Sequence, residues 1–514
     1  MKKALLTFVI IAAASLNATA ENLFNTLLGK TDAEVENKLQ QAWEHKRYNR
    51  TTTNNRKGKD VIQGNTPKPN HYKDLLRLGT PIVIGQIGQI VLNLADTLMI
   101  GHHNTEELAA ASFVNTMFSL LVLIAVGFSC GLTPVAGARF GRKEYSSIGQ
   151  VVKCALVANT MLAVLLTAAA VTLYYALPYL GQPEKLLPLM RPYLFINILS
   201  MPFVCWGCAM RQFFDTIGRT KISMMVFVMA NTLNIIGNYI LIYGKWGMPE
   251  LGLLGAGIST AISRVIIITA FMIIFCMRHD MRVFSSGIFT SIKLDSHVFR
   301  RLISLGWSSG LQMAMESAAF SLTAILVGWT GVMPLAAHQI MLTVSMFFYM
   351  FYLGIGIAIS VRVSHYIGRR DYHSISQVSR AGLHIILCMA FCVAIPIFML
   401  RNEIGWWFAN DEQIAVLVAA TIVPLIVYQF GDALQMTYAN TLRGLGLMHH
   451  LMVVSFIAYF MISLPLSWFL GIYLGYGLVG IWWAFPVCLT VAGTLFYIIF
   501  KRHNKPRTIT EEQH

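Results

Sequence analysis

Charge is what this chain has least of. Only 12% of its 514 residues are Asp, Glu, Lys or Arg, about half the share in a soluble globular domain, and 56% are hydrophobic. The period-2 alternation of a membrane β-barrel is missing. No His-Glu-x-x-His and no Walker A sequence occurs, so zinc proteolysis and ATP-driven pumping lack their machinery. Cysteine is sparse too: all eight (Cys130, Cys154, Cys205, Cys208, Cys276, Cys388, Cys392 and Cys488) lie in apolar stretches. Cys205-x-x-Cys208 has no second pair nearby and reads as helix packing rather than a redox or metal motif.

What the chain has in quantity is apolar runs of spanning length, about 20 residues. They number twelve, at roughly 75–101, 109–138, 147–175, 187–212, 220–244, 253–277, 299–328, 335–365, 376–400, 413–441, 449–473 and 478–501. The expected fold class is an all-α polytopic membrane protein. Its net charge of +15 does not point to nucleic acid, because the basic residues fall in alternate connectors. Arg139, Arg142 and Lys143 form one cluster, Arg211, Arg219 and Lys221 the next, and further clusters surround Arg278–Arg301, Arg362–Arg370, Arg443 and Lys501–Arg507. This is the positive-inside pattern, with both ends of the helical core cytoplasmic. A bilayer is the expected surrounding.

Residues 1–20 read like a secretory signal ending in Ala18-Thr19-Ala20. An export signal conflicts with the charge pattern, so residues 1–45 are expected to be a chimeric or dispensable leader with a short soluble segment. They faintly resemble the start of an exported glycan-degrading enzyme, and no function is assigned to them. The expected organisation continues with a basic linker over 46–74, a first lobe over 75–277, an inter-lobe loop over 278–298, a second lobe over 299–501 and a tail over 502–514.

The two lobes are copies. A shift of 227 residues places Gly79 on Gly306, Gly127 on Gly354, and "GRKEYSSI" (141–148) on "GRRDYHSI" (368–375) without a gap. An even number of helices per copy keeps both copies in one orientation, related by an axis along the membrane normal. With "LADTLMIG" (94–101), "YGKWGMPELG" (243–252), the paired "LAA" and "GRxxY" segments and "DALQMTYANTLRGLG" (432–446), the region 75–501 resembles the multidrug and toxic compound extrusion (MATE) transporters, in their NorM-like bacterial branch. The resemblance implies twelve helices in two six-helix lobes. It also implies a secondary antiporter that exports organic cations and other amphipathic drugs against Na⁺ or H⁺, with no cofactor and no enzymatic activity.

Nearly all 24 acidic residues fall in connectors, helix ends or the N-terminal extension; Asp96, Glu316 and Asp432 lie within apolar runs. A carboxylate at mid-membrane costs about 2.5–3.5 kcal/mol on insertion scales and by default faces a cavity or an ion path. Glu316 lies roughly 23 Å along its helix from the basic end and Asp432 roughly 15 Å, so the two can share one site. Two close carboxylates in low dielectric need a proton or cation between them, and oxygen ligands suit Na⁺. In the first lobe Asp96 stands alone, but Asn231, Asn234 and Asn238 line the fifth helix, the last two on one face. Asparagine there is either part of an ion site or ordinary interhelical glue. The repeat does not carry this chemistry across, since Gln89 and Thr323 occupy the positions equivalent to Glu316 and Asp96. The resemblance implies that Glu316 and Asp432 form the cation site of the second lobe, and Asp96 with the Asn face a proton or cation site in the first.

Two other readings compete. A flippase of lipid-linked saccharides would line its cavity with basic residues; here Arg264 is the chief basic residue inside a helix. A membrane-embedded enzyme would use "GWSSG" (306–310), which matches Gly-x-Ser-x-Gly but begins a membrane helix instead of following a strand. A monomer is expected.

Overall fold

The computed structural model describes residues 70–289 and 294–504. The leader, most of the linker and most of the tail therefore lie outside the described residues. Among the described residues, twelve helices are long and apolar enough to cross a membrane: α1 (His71–His103), α2 (Thr105–Gly141), α3 (Tyr145–Ala176), α4 (Leu187–Thr216), α5 (Thr220–Ile242), α6 (Gly252–Met277), α7 (Ser296–Gly328), α8 (Val332–Gly368), α9 (Tyr372–Met399), α10 (Glu412–Leu445), α11 (Met448–Tyr473) and α12 (Gly477–His503).

All twelve expected spans are present, and several begin earlier than hydropathy implies. The reason is capping. Asn70 accepts a hydrogen bond from the Lys73 N–H, Asp295 from those of His297 and Val298, and Asp371 from that of Ser374, so polar first turns are stabilised as helix. The first helix thus starts at His71, four residues before the apolar run at 75. The inter-lobe loop is also not wholly irregular, for a short helix occupies Arg282–Phe289. A second short helix, Arg401–Phe408, follows α9.

The repeat is visible in the packing. Helices α1 with α5, α2 with α4, α3 with α4, α4 with α6 and α5 with α6 pack together in the first lobe. Their counterparts α7 with α11, α8 with α10, α9 with α10, α10 with α12 and α11 with α12 do so in the second. The "GRxxY" copies end α2 and α8 in the same way. Lys143 (φ 64°) and Arg370 (φ 58°) are equivalent positions, and each takes the left-handed conformation that turns the chain out of a helix.

The lobes meet through α1 with α8, α2 with α7, and α2 with α8. Glycine makes these approaches possible. A Cβ on Gly141 would overlap the carbonyl oxygen of His365, and one on Gly368 would overlap that of Ala138. These two contacts are exchanged by the repeat. Gly137 faces Ser364, its own counterpart, so the pseudo-twofold axis passes between them. Nearby, Gly79 packs on Gly354 and Gly127 on Gly310. All of these residues lie toward the end of the bundle where α1 begins and α2 ends, and this end is closed. The glycines of "GWSSG" are accounted for here: Gly306 and Gly310 admit α2, where a Cβ on Gly306 would lie 2.8 Å from the Phe128 ring. Ser308 donates to its own helix at Ser304 O. The enzyme reading loses its motif.

Candidate functional site

In the second lobe α7 and α11 meet at Glu316. Tyr459 donates its hydroxyl to Glu316 Oε1 at 2.8 Å, and the Gln312 amide donates to Oε2 at 2.9 Å. Tyr459 lies in a π-helical turn, Ile457–Ser463, a local widening of the kind that often re-aims a side chain at a functional site. The Gln435 amide in turn donates to the Tyr459 hydroxyl at 2.8 Å. Gln312 is held from behind by Arg443, whose guanidinium donates to Gln312 Oε1 at 3.1 Å and to Asn440 Oδ1 at 2.9 Å. Arg443 is only 6% exposed. Its assignment to the solvent-facing basic connectors is therefore corrected: α10 runs on to Leu445 and carries the guanidinium inward.

Asp432 on α10 is 4% exposed and lies one turn before Gln435, whose amide donates to the Tyr459 hydroxyl that holds Glu316. Its Oδ2 is buried without a hydrogen-bond partner, as are both polar side-chain atoms of Gln429 one turn away and the Tyr352 hydroxyl. A buried polar atom left unpaired costs about 1–3 kcal/mol. The pair therefore fits a hard monovalent cation or a proton, with Glu316 and Asp432 as the oxygen donors. Among the described residues no cluster of three His, Cys, Asp or Glu is arranged for a transition metal, and no cysteine is paired.

In the first lobe the Asn238 amide donates to Asp96 Oδ1 at 2.6 Å and to Asn234 Oδ1 at 3.2 Å. The Asn234 amide reaches Thr260 Oγ1 on α6 at 3.3 Å; turned over, it donates to Asp96 Oδ1 at 3.2 Å instead. Asn234 and Asn238 are thus brought to Asp96. Asn231, two turns below Asn238, is not among its hydrogen-bond partners, and the Asn231 Nδ2 is buried and unpaired. Gln89 and Thr323, the repeat equivalents of Glu316 and Asp96, spend their hydrogen bonds within their own helices, on Asn93 and Ala319.

Several polar residues escaped the sequence reading. Gln312 sits one helical turn before Glu316, a spacing that could have revealed it. Tyr459 had no such signal, because only the π-helical turn aims it. Asp215, near the end of α4, was counted with the helix ends, but it is 2% exposed and lies 3.7 Å from Arg211.

Known proteins resemble this chain along its helical core. The MatE family model matches twice, over residues 81–240 and 309–469, once in each lobe. The probable multidrug resistance protein NorM of Photorhabdus laumondii is 28% identical over 433 residues, covering 84% of this chain and 95% of the relative. The multidrug resistance protein NorM of Vibrio cholerae is 28% identical over 399 residues, covering 77% and 87%. Among solved structures, the outward-facing conformation of a multidrug resistance MATE family transporter superposes with a TM-score of 0.77 at 17% identity, covering 85% of this chain and 96% of that one. With both halves matched by one family model and twelve helices arranged as in a solved MATE transporter, the chain belongs to the MatE family.

Proposed function

We propose that this protein is a secondary multidrug efflux antiporter of a bacterial inner membrane, exporting organic cations and amphipathic drugs in exchange for Na⁺ or H⁺. The relatives' names support the substrate class. The observation that carries the mechanism is the carboxylate pair of Glu316 and Asp432, with its orphaned oxygen, inside a two-lobed bundle sealed at one end. The basic clusters at that end support its assignment as cytoplasmic, and with that end sealed we take the site to be reached from the outer face.

In this state the coupling cation reaches the second lobe from outside. Its arrival neutralises Glu316 and Asp432, and it biases the lobes only by its differential affinity for the two facing states. Tyr459 and Gln312 orient Glu316, while Arg443 keeps the net charge of the group at one negative when empty. In the first lobe Asp96, with Asn234 and Asn238, forms a second polar site that takes up a proton or cation during the cycle. Asn231 belongs to the same helix face and stands below it. A drug cation and the coupling ion compete for the net negative charge of the second lobe, so binding of one releases the other. Dye efflux from proteoliposomes tests the reading, with Na⁺ and pH gradients imposed separately. Export driven by at least one gradient is expected, and export driven by neither would refute it.

A further inference from the structure

Arg264 is a guanidinium on a membrane helix without a carboxylate in ion-pairing range among the described residues. It sits in the middle of α6, and an arginine at such depth costs about 2.5–3.5 kcal/mol on insertion scales. The structure invests heavily in holding it. The guanidinium donates to Asn197 Oδ1 at 3.0 Å and to Ser200 Oγ at 2.5 Å, both on α4. It also lies over the Phe118 ring of α2, 5.0 Å from the centroid. These contacts turn it into the first lobe and away from lipid.

What it faces there is the Asp96 network. Thr260, the α6 end of the chain running Asp96, Asn238, Asn234 and Thr260, is four residues before Arg264 and so on the same helix face. Asp96 thus stands at one end of this chain and Arg264 one helical turn beyond the other. The lobes therefore differ in charge. The second holds two carboxylates, Glu316 and Asp432, against one guanidinium, Arg443, and is one cation short. Apart from the charges paired near its helix ends, Asp215 with Arg211 and Glu107 with His103, the first holds one carboxylate, Asp96, and one guanidinium and is already balanced.

We infer that Arg264 is the resident counter-cation of the first lobe, so that the Asp96 site excludes Na⁺ and any metal-ion coupling is confined to Glu316 and Asp432. This rests on the proposed antiport but concerns binding, which is measured without transport. A tightly held guanidinium cannot leave during a cycle, so Asp96 stays neutralised and offers no net charge to alkali cations. A purely structural arginine, tying α2, α4 and α6 together, would leave Na⁺ binding at Asp96 unaffected by its removal.

The test is equilibrium ²²Na⁺ binding to the purified full-length protein and its variants. The wild type and Asp96→Asn are expected to bind the same amount, at most one Na⁺ per chain. Arg264→Gln keeps an amide for Asn197 and Ser200 but removes the charge. It is expected to gain one further Na⁺ per chain, lost again in Arg264→Gln with Asp96→Asn. Arg264→Lys, which restores the charge, is expected to bind as the wild type does. Loss of one Na⁺ in Asp96→Asn alone would overturn the inference, as would a folded Arg264→Gln protein that gains none. If Arg264→Gln does not fold, the comparison of wild type with Asp96→Asn still decides. A failure of antiport itself would show as absent efflux with these binding results intact.

Discussion

At the scale of single residues the proposed transport cycle depends on acids that hydrocarbon would not tolerate unaided. Glu316 receives two hydrogen bonds, and Asp432 keeps a buried oxygen with none. If they share one cation, Glu316→Gln and Asp432→Asn should each abolish binding of the coupling ion at this site. The double variant should be little worse than either single, because residues acting as one site are not additive. Labelled-cation binding to the three purified variants checks this; full additivity would mean two separate sites. Asp96→Asn keeps the shape and a hydrogen bond to Asn238. It is expected to fold normally and slow drug export, and unchanged drug resistance in cells would reduce Asp96 to a structural partner of α5. Asp96, Glu316 and Asp432 were readable in the sequence because charge is rare there. Arg443 and Asp215 were not. Both lie near helix ends, where composition cannot distinguish a solvated charge from one folded inward.

At the scale of elements the sequence announces the helices and hides their ends and distortions. Hydropathy locates all twelve spans, since each must satisfy its backbone within the bilayer. It cannot show that α11 widens into a π-helical turn at Ile457–Ser463, because neither composition nor period changes there. Helix starts depend on single caps. Asp371 accepts from the Ser374 N–H at 3.0 Å and from its hydroxyl at 2.6 Å. Partial burial pushes its carboxyl pKa up, but these hydrogen bonds outweigh that and leave it below the ordinary carboxylate value. A depressed folded-state pKa adds stability above the unfolded value, about 3.9, and that stability is lost as pH falls through the folded value. Asp371→Ala is therefore expected to cost about 0.5–2 kcal/mol at neutral pH. The difference from wild type should shrink below about pH 4, as thermal unfolding in detergent would show. A constant difference across that range would mean that the cap does not act through its charge.

At the scale of the whole molecule, two copies of one six-helix unit meet across an axis marked by Gly137 and Ser364. The closed end depends on backbone contact between the lobes at Gly141 and Gly368. A valine at Gly141 would overlap the His365 carbonyl, and such overpacking costs about 1–3 kcal/mol. In the proposed alternating-access cycle that cost falls on the closed state and shifts the lobes toward the other facing state. Distances between spin labels at Ser146 and His373, equivalent exposed positions at that end, should lengthen in Gly141→Val; an unchanged distribution would mean the contact does not hold the end shut. The duplication was legible as a shift of 227 residues, whereas the closure was not, because glycine spacing does not say which helix each glycine admits. In the proposed cycle Glu316 converts a cation gradient into drug export. The most direct measurement is uphill dye efflux from proteoliposomes holding wild type or Glu316→Gln, alongside dye binding to the same preparations. Dye binding retained with gradient-driven efflux lost in Glu316→Gln is the predicted result; efflux still driven at the wild-type rate would contradict it.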